Sequence, residues 1–291
     1  MASGSALASI TVQAALSRLA ATLAGAGIAE ARHEARDLIA ALLDVPRFWP
    51  SANRDAELDG DIWALAQRAA ARRAQGAPFA YAVGRAAFRH LTLDVDERVL
   101  IPRQETELLV EHVLAAGGEG GVVVDVGTGS GAIALALASE GRFDRVIGTD
   151  VSLDALAVAG RNAATLGAAL RAAVELRHGS LLAPVRDVRA RAVVSNPPYI
   201  AFDEASALPA GVRDWEPGVA LFSGAEGMAA TVGIVREAAD VLEPGGLLAL
   251  EVDARRASLA AELLLTAGRY RDVRVRLDLA GRERFVLGTR R

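Results

Sequence analysis

The chain has 291 residues, enough for one large domain or two, and 52% of them are hydrophobic, enough for a sizeable core. Its 32 basic and 36 acidic side chains leave a formal charge of −4, so no overall cationic field points to nucleic acid. The absence of cysteine excludes disulfides and thiolate metal sites, the four histidines (His33, His90, His112, His178) lack metal-ligand spacing, and no apolar run reaches the ~20 residues of a membrane helix.

Residues 1–29 are rich in Ala and Ser, as in a transit peptide. However, Val12, Leu16, Leu19 and Leu23 fall at helical spacing, so a folded helix is expected over Thr11–Ala24, closed by Gly25 and Gly27. A second helix is expected over Ala31–Leu43, with Ala35, Leu38, Ile39 and Leu42 on one face, and a third over Asp55–Gln75, stopped by Gly76 and Pro78. Within residues 1–80, eight Arg balance eight Asp and Glu, so this helical part is no basic clamp for nucleic acid. Its composition fits both a stabilising cap and a partner-docking module.

Residues 81–103 change character. Leu91-Thr92-Leu93-Asp94-Val95 alternates apolar and polar as a half-buried strand does, and with Ala86-Ala87-Phe88 it predicts a hairpin linker. Leu100-Ile101-Pro102-Arg103 then leads into a helix through Leu114. From residue 121 strands and helices alternate. The expected strands are Val122–Val126, Val146–Thr149, Ala173–Leu176, Ala192–Ser195 and Leu247–Val252, with Val273–Leu277 and Arg284–Leu287 closing the chain. Seven strands with intervening helices imply an α/β, doubly wound sheet.

Two stretches carry chemistry. The first strand breaks at Gly127-Thr128-Gly129-Ser130-Gly131, where glycines let the backbone approach a ligand at a strand–helix junction. Asp150 ends the next strand, where a carboxylate can accept both hydroxyls of a ribose. This pattern is shared by NAD, FAD and S-adenosylmethionine enzymes. The second stretch is Asn196-Pro197-Pro198-Tyr199. Two prolines cannot continue a ladder, so the strand must stop at Asn196. The stiff turn holds a carboxamide, a proline carbonyl and an aromatic ring at a strand's carboxyl end. The Asn196 side-chain oxygen and the Pro197 carbonyl are two acceptors for an NH2 group, and Tyr199 offers a face to a flat group. This amide-holding turn favours S-adenosylmethionine over a nicotinamide, and since every basic residue is Arg, a Ser/Tyr-x-x-x-Lys hydride-transfer arrangement is excluded.

Val124–Gly131 together with Asn196-Pro197-Pro198-Tyr199 resembles the class I amino-methyltransferases. Leu100-Ile101-Pro102-Arg103-Gln104-Glu105-Thr106-Glu107 is similar to a motif of the release factor N5-glutamine methyltransferases (HemK family). So are Arg73-x-x-Gly76-x-Pro78-x-x-Tyr81-x-x-Gly84, Val212–Pro217 and Gly281-Arg282-Glu283-Arg284, and the likeness covers roughly residues 30–288. The resemblance implies a class I S-adenosylmethionine-dependent methyltransferase, with a Rossmann-like seven-stranded sheet and a small N-terminal helical domain. It divides the chain into a substrate-docking domain over 1–80, a hairpin linker over 81–103 and a methyltransferase domain over 104–291.

The resemblance also implies roles for single residues. Gly127, Thr128, Gly129, Ser130 and Gly131 would cradle the methionine side of S-adenosylmethionine, with Asp150 on the ribose and Ser180 and Leu181 at the adenine. Asn196 would hold the substrate amide, Pro197 would add its carbonyl, and Pro198 and Tyr199 would complete the substrate turn. The implied substrate is the glutamine of the Gly-Gly-Gln loop in peptide chain release factors. The chain departs from the family pattern at Ser180, often Asp, at Gln104, often proline, at Ala87, often acidic, and at Glu251-Val252-Asp253, which lacks the usual glycine. A cytoplasmic monomer with no metal, no membrane contact and no direct nucleic-acid contact is expected. Two methyltransferase alternatives use a similar turn: a ribosomal-protein glutamine methyltransferase and a nucleic-acid adenine N6-methyltransferase. The latter needs a basic groove and base flipping, against which the charge balance argues. A non-catalytic binding subunit is opposed by the intact Asn196 and Asp150.

Overall fold

The computed structural model describes residues 9–116 and 118–291. Residues 1–8, the head of the Ala/Ser-rich stretch, and Gly117 lie outside the described residues. The chain divides into two compact units, Met1–Arg85 with Ala210–Trp215, and Ala86–Pro209 with Glu216–Arg291.

The first unit is built on three helices, α1 (Val12–Gly25), α2 (Ala31–Leu43) and α3 (Gly60–Ala74). Thr11 caps α1, its hydroxyl accepting from the Ala14 amide at 3.3 Å. The expected third helix starts five residues late because Glu57–Leu58 instead pairs with Ile10–Thr11. Asp59 then caps α3, accepting from the Asp61 amide at 2.8 Å. Val12, Leu19, Leu23, Leu38, Ile39 and Trp63 are among the residues that close this unit's core.

The second unit opens on the hairpin of β1 (Arg85–Phe88) and β2 (Leu91–Asp94), followed by α4 (Gln104–Ala116). Next come β3 (Val122–Val126), α5 (Ala132–Glu140), β4 (Arg145–Asp150), α6 (Leu153–Leu166), β5 (Ala173–His178) and β6 (Ala190–Ser195). The unit closes with α7 (Ala229–Val241), β7 (Leu242–Glu251), α8 (Ala257–Thr266), β8 (Tyr270–Leu277) and β9 (Glu283–Arg290).

Strands β3 to β9 form one seven-stranded sheet in the order β8-β9-β7-β6-β3-β4-β5. Strands β7, β6, β3, β4 and β5 run parallel, and β9 pairs antiparallel with both β7 and β8. The order reverses between β3 and β6, so the sheet's carboxyl edge opens there. Strand β7 begins five residues earlier than expected. Its register with β6 shifts between Ala190 and Ala192, which accommodates Pro244-Gly245-Gly246 inside the strand.

Alternation along the strands divides the core between two faces. Val124, Val126, Ile147, Val193, Leu248 and Leu250 pack on one side with residues of α7 and α8. Val123, Val146, Ala192, Val194 and Ala249 pack on the other with α4 and α5. Among the described residues, no helix is long and apolar enough to cross a membrane.

Asn162 on α6 ties the hairpin to the glycine loop. Its Oδ1 accepts from the Asp94 amide at 2.7 Å, and its Nδ2 donates to the Asp94 and Ser130 carbonyls at 3.0 and 2.9 Å. The side chain is buried, so truncation would strand these backbone groups away from water. Asn162→Ala should cost about 2–4 kcal/mol. Urea unfolding should show this as a lower midpoint at unchanged slope; an unchanged midpoint would remove Asn162 from the structural account.

Candidate active site

A cavity of about 350 Å³ opens at the carboxyl edge of the sheet, where β3 and β6 diverge. Val126, Gly127 and Gly129 form one wall, Asp150, Val151 and Ser152 a second, and Ser195, Asn196, Pro197 and Pro198 a third. Gly179, Ser180 and Leu181 lie at one end.

The glycine loop has φ of +73°, +55° and +84° at Gly127, Gly129 and Gly131, a region that side chains disfavour. A Cβ at Gly127 or Gly129 would meet nothing within 4 Å, so the loop presents bare backbone to the cavity. Thr128 and Ser130 are buried and, with Gly131, do not line it. Thr128 instead anchors the loop from below, donating its hydroxyl to Asp125 Oδ2 at 2.7 Å. The same oxygen accepts from the Ala134 amide at 3.2 Å, in the first turn of α5.

Asp150 is aligned by two amides. Its Oδ2 accepts from Gly129 N–H and its Oδ1 from Ser152 N–H, both at 2.9 Å. Each oxygen retains a further lone pair for a ligand hydroxyl. Leu181 is held at φ +49°, and its carbonyl accepts from the Thr149 hydroxyl at 3.0 Å. Ser180 beside it is exposed.

Asn196 follows the last residue of β6. Its Nδ2 donates to the buried Thr106 Oγ1 at 3.1 Å. Its Oδ1 carries no hydrogen bond among the described residues and remains as an acceptor at the cavity wall. Tyr199 does not line the cavity. Its hydroxyl is pushed up by burial, with Glu251 raising it further and Arg284 and Arg103 opposing. The loop before α4 is pinned by Arg103, which donates to Glu216 Oε1 at 2.6 Å. Burial pushes the Glu216 carboxyl up, and Arg103 pulls it back.

Sequence reasoning brought together Gly127, Gly129, Asp150, Ser180, Leu181, Asn196, Pro197 and Pro198, which all line one cavity. It missed Asp125 and Thr106, which hold the glycine loop and Asn196 from behind. It also missed Arg98, Val99, Val219 and Phe222 in the cavity wall. A signal existed for Thr106, which stands in the quoted motif before α4; Val219 and Phe222 come from a segment without periodicity.

Comparison with known proteins gives this geometry a family. Residues 103–208 match the model of the methyltransferase small domain, and residues 14–84 that of the PrmC N-terminal domain. The release factor glutamine methyltransferase of Moorella thermoacetica is 41% identical over 288 residues, covering 97% of this chain and 99% of that protein. The chain belongs to the release factor glutamine methyltransferases. The family member of Mycolicibacterium smegmatis is 40% identical, over 96% of this chain and 98% of its own. A solved methyltransferase from Pyrococcus furiosus shares the fold, with a TM-score of 0.50 and 19% identity over 68% of this chain and 88% of that one. The second unit of this methyltransferase is therefore the class I S-adenosylmethionine-dependent fold, with its cavity at the sheet's switch point.

Burial pushes the Asp125 carboxyl up to about 7, against the Thr128 and Ala134 hydrogen bonds. Between about pH 4 and pH 7 the folded methyltransferase thus holds a proton that the unfolded chain has lost. Stability from this group is full below pH 4 and falls as pH rises to about 7. Asp125→Asn cannot ionise. Its stability relative to the parent should rise by about 2–3 kcal/mol between about pH 5 and pH 8. Denaturant unfolding across that range would check this, and a pH-independent difference would contradict it.

Proposed function

We propose that this methyltransferase transfers a methyl group from S-adenosylmethionine to the side-chain N5 of the glutamine in the Gly-Gly-Gln motif of peptide chain release factors. The observation that carries the reading is the sense of the Asn196 carboxamide. With Nδ2 committed to Thr106, Oδ1 is left to accept at a cavity that also contains the glycine loop and Asp150. The names of the relatives support a release factor over a ribosomal protein or an adenine base as the substrate.

The residues present suit S-adenosylmethionine. The open space above Gly127 and Gly129 admits its methionine end against bare backbone, and the loop's Thr128, Ser130 and Gly131 keep that backbone in place. Asp150, already aligned by two amides, has lone pairs for the ribose hydroxyls. Ser180 offers a hydroxyl and Leu181 an apolar surface to the adenine. When bound, S-adenosylmethionine supplies a methyl group made electrophilic by its sulfonium.

The amide nitrogen of glutamine is a weak nucleophile because its lone pair is delocalised into the carbonyl. Positioning by the chain's own groups is therefore the main resource. Asn196 Oδ1 and the Pro197 carbonyl accept the two N–H bonds, which fixes the nitrogen and turns its lone pair away from the acceptors. Pro198 keeps the turn rigid, and Tyr199 packs beside the turn. Orientation of this kind is worth ~7–11 kcal/mol in favourable cases. The N-terminal helical unit serves as the docking module for the release factor, adding contact remote from the methyl. The site of action is the cytoplasm, and the chain acts as a monomer without metal, membrane or direct nucleic-acid contact.

Asp150→Ala should weaken S-adenosylmethionine binding by about 10- to 150-fold, the ~1.5–3 kcal/mol of charged hydrogen bonds. Calorimetry showing unchanged affinity in a folded variant would remove Asp150 from the ribose. Asn196→Ala should lower kcat on a release factor by roughly 100-fold or more while leaving cofactor affinity within about threefold. Steady-state kinetics showing kcat within about threefold of the parent, under ~1 kcal/mol of barrier, would mean that Asn196 does not hold the amide.

A further inference from the structure

A large apolar side chain that stands free beside a cavity is a candidate contact for whatever enters it. Two such side chains border the cavity of the second unit. Val219 lines it and is 57% exposed. Phe202 is 68% exposed and stands outside the lining, but it stacks on Phe222, which lines the cavity. The two ring centroids are 5.7 Å apart at an interplanar angle of 20°. Apolar surface therefore runs from the cavity wall out to solvent.

This ledge is braced from several sides. Ile200 follows the Asn196–Tyr199 turn directly. Its amide donates to the Leu221 carbonyl at 3.0 Å, and its carbonyl accepts from the Ser223 amide at 2.9 Å. These bonds hold Phe222 in register with the turn. Phe202 opens a 3₁₀ turn over Phe202–Ala207. The Glu204 carboxylate in that turn accepts from the Ala201 amide at 3.3 Å and pairs with Arg255 and Arg256 at 2.9 and 3.1 Å. Arg256 in turn donates its Nε to the Glu226 carbonyl at 2.7 Å. Arg103 fixes the start of the segment that carries Val219 and Phe222, through Glu216. A surface ordered before its partner arrives loses little freedom on binding.

Only two methylenes separate the amide of a glutamine from its backbone. With that amide at Asn196, the backbone beside it stays at the cavity mouth, against Val219 and the stacked rings. A glycine backbone can lie flat on an aromatic face, whereas a Cβ would hold it away. We propose that Phe202 and Val219, backed by Phe222, form a ledge that takes the glycine backbone preceding the target glutamine and selects for residues without side chains there. This rests on the Gly-Gly-Gln reading above. The ledge touches the substrate and not the transferring methyl, so its loss weakens ground-state and transition-state binding alike.

The test is steady-state kinetics of the full chain with S-adenosylmethionine and two substrates, a purified release factor and a short peptide spanning its Gly-Gly-Gln motif. Phe202 is exposed, so Phe202→Ala should keep the parent's melting curve. It should raise KM for the release factor by about tenfold or more, the scale of an interface hot spot, with kcat and cofactor affinity within about threefold. Val219→Ser should move KM in the same direction. In Phe202→Ala, kcat/KM on the peptide should fall by a factor similar to that on the release factor, because the contact lies beside the glutamine. Phe202→Tyr, which keeps the ring, should stay within about threefold of the parent on both substrates. Replacing the glycine before the glutamine by alanine should lower the parent's kcat/KM on the peptide, and that of Phe202→Ala far less. An unchanged KM in either ledge variant, a loss confined to the whole release factor, a loss of cofactor affinity, or additive effects of the two replacements would each overturn the ledge. Any of these results with a parent active on both substrates leaves the Gly-Gly-Gln reading standing. A parent inactive on both would overturn that reading and the ledge with it.

Discussion

Proline has no N–H to offer a neighbouring strand, and the consequence of that at Pro197 and Pro198 organises the active site. Strand β6 ends at Ser195, flanked by β3 and β7, and the chain must leave the sheet at Asn196. It leaves at the point where the strand order reverses, so helices diverge on either side and a cleft opens. Ser195 secures the exit by donating its hydroxyl to the Val126 carbonyl at 2.7 Å, tying the end of β6 to the end of β3. The Asn196–Tyr199 turn and the glycine loop are thereby neighbours by construction, although about 65 residues separate them in sequence.

Buried acids stand behind that cleft. Asp125 secures the glycine loop through Thr128 and the helix that follows through Ala134. Glu251 lies buried at the end of β7, beside the strand end that carries the Asn196 turn. Glu216 clamps the segment before α4 through Arg103. All three carboxyls are raised by burial, so each costs stability when ionised. Apolar residues of similar size would pack at less cost, but they would not accept hydrogen bonds. Asp125 and Glu216 trade stability for the orientation of the glycine loop and of the segment before α4.

Where the residues of the candidate site are consecutive, the sequence was readable. Gly127–Gly131, Asp150 at a strand end and Asn196–Tyr199 each declare themselves by local chemistry: glycine conformations, a carboxylate after an apolar run, prolines that stop a ladder. The central strands β3, β4, β6 and β7 were also legible from their apolar runs, because parallel strands buried on both faces carry few polar residues. The edges were less so. The start of α3 depended on Glu57–Leu58 pairing with Ile10–Thr11, and the start of β7 on a register shift against β6, both of them partners far away in the chain. The supporting residues were unreadable for the same reason. Asn162 serves Asp94 and Ser130 across 68 and 32 positions, and Thr106 serves Asn196 across 90. A polar residue inside an apolar helix gives no local sign of what it will meet. Tyr199 shows the converse, since the three residues before it line the cavity and it does not.

The central claim is that this site methylates one particular side-chain nitrogen. Tandem mass spectrometry of a purified release factor, incubated with the full chain and S-adenosylmethionine, tests it most directly. The account predicts a single added methyl, localised to the side-chain amide of the glutamine in the Gly-Gly-Gln motif and absent with Asn196→Ala. A release factor recovered unmodified by an enzyme that binds S-adenosylmethionine, or a methyl on any other residue, would contradict it.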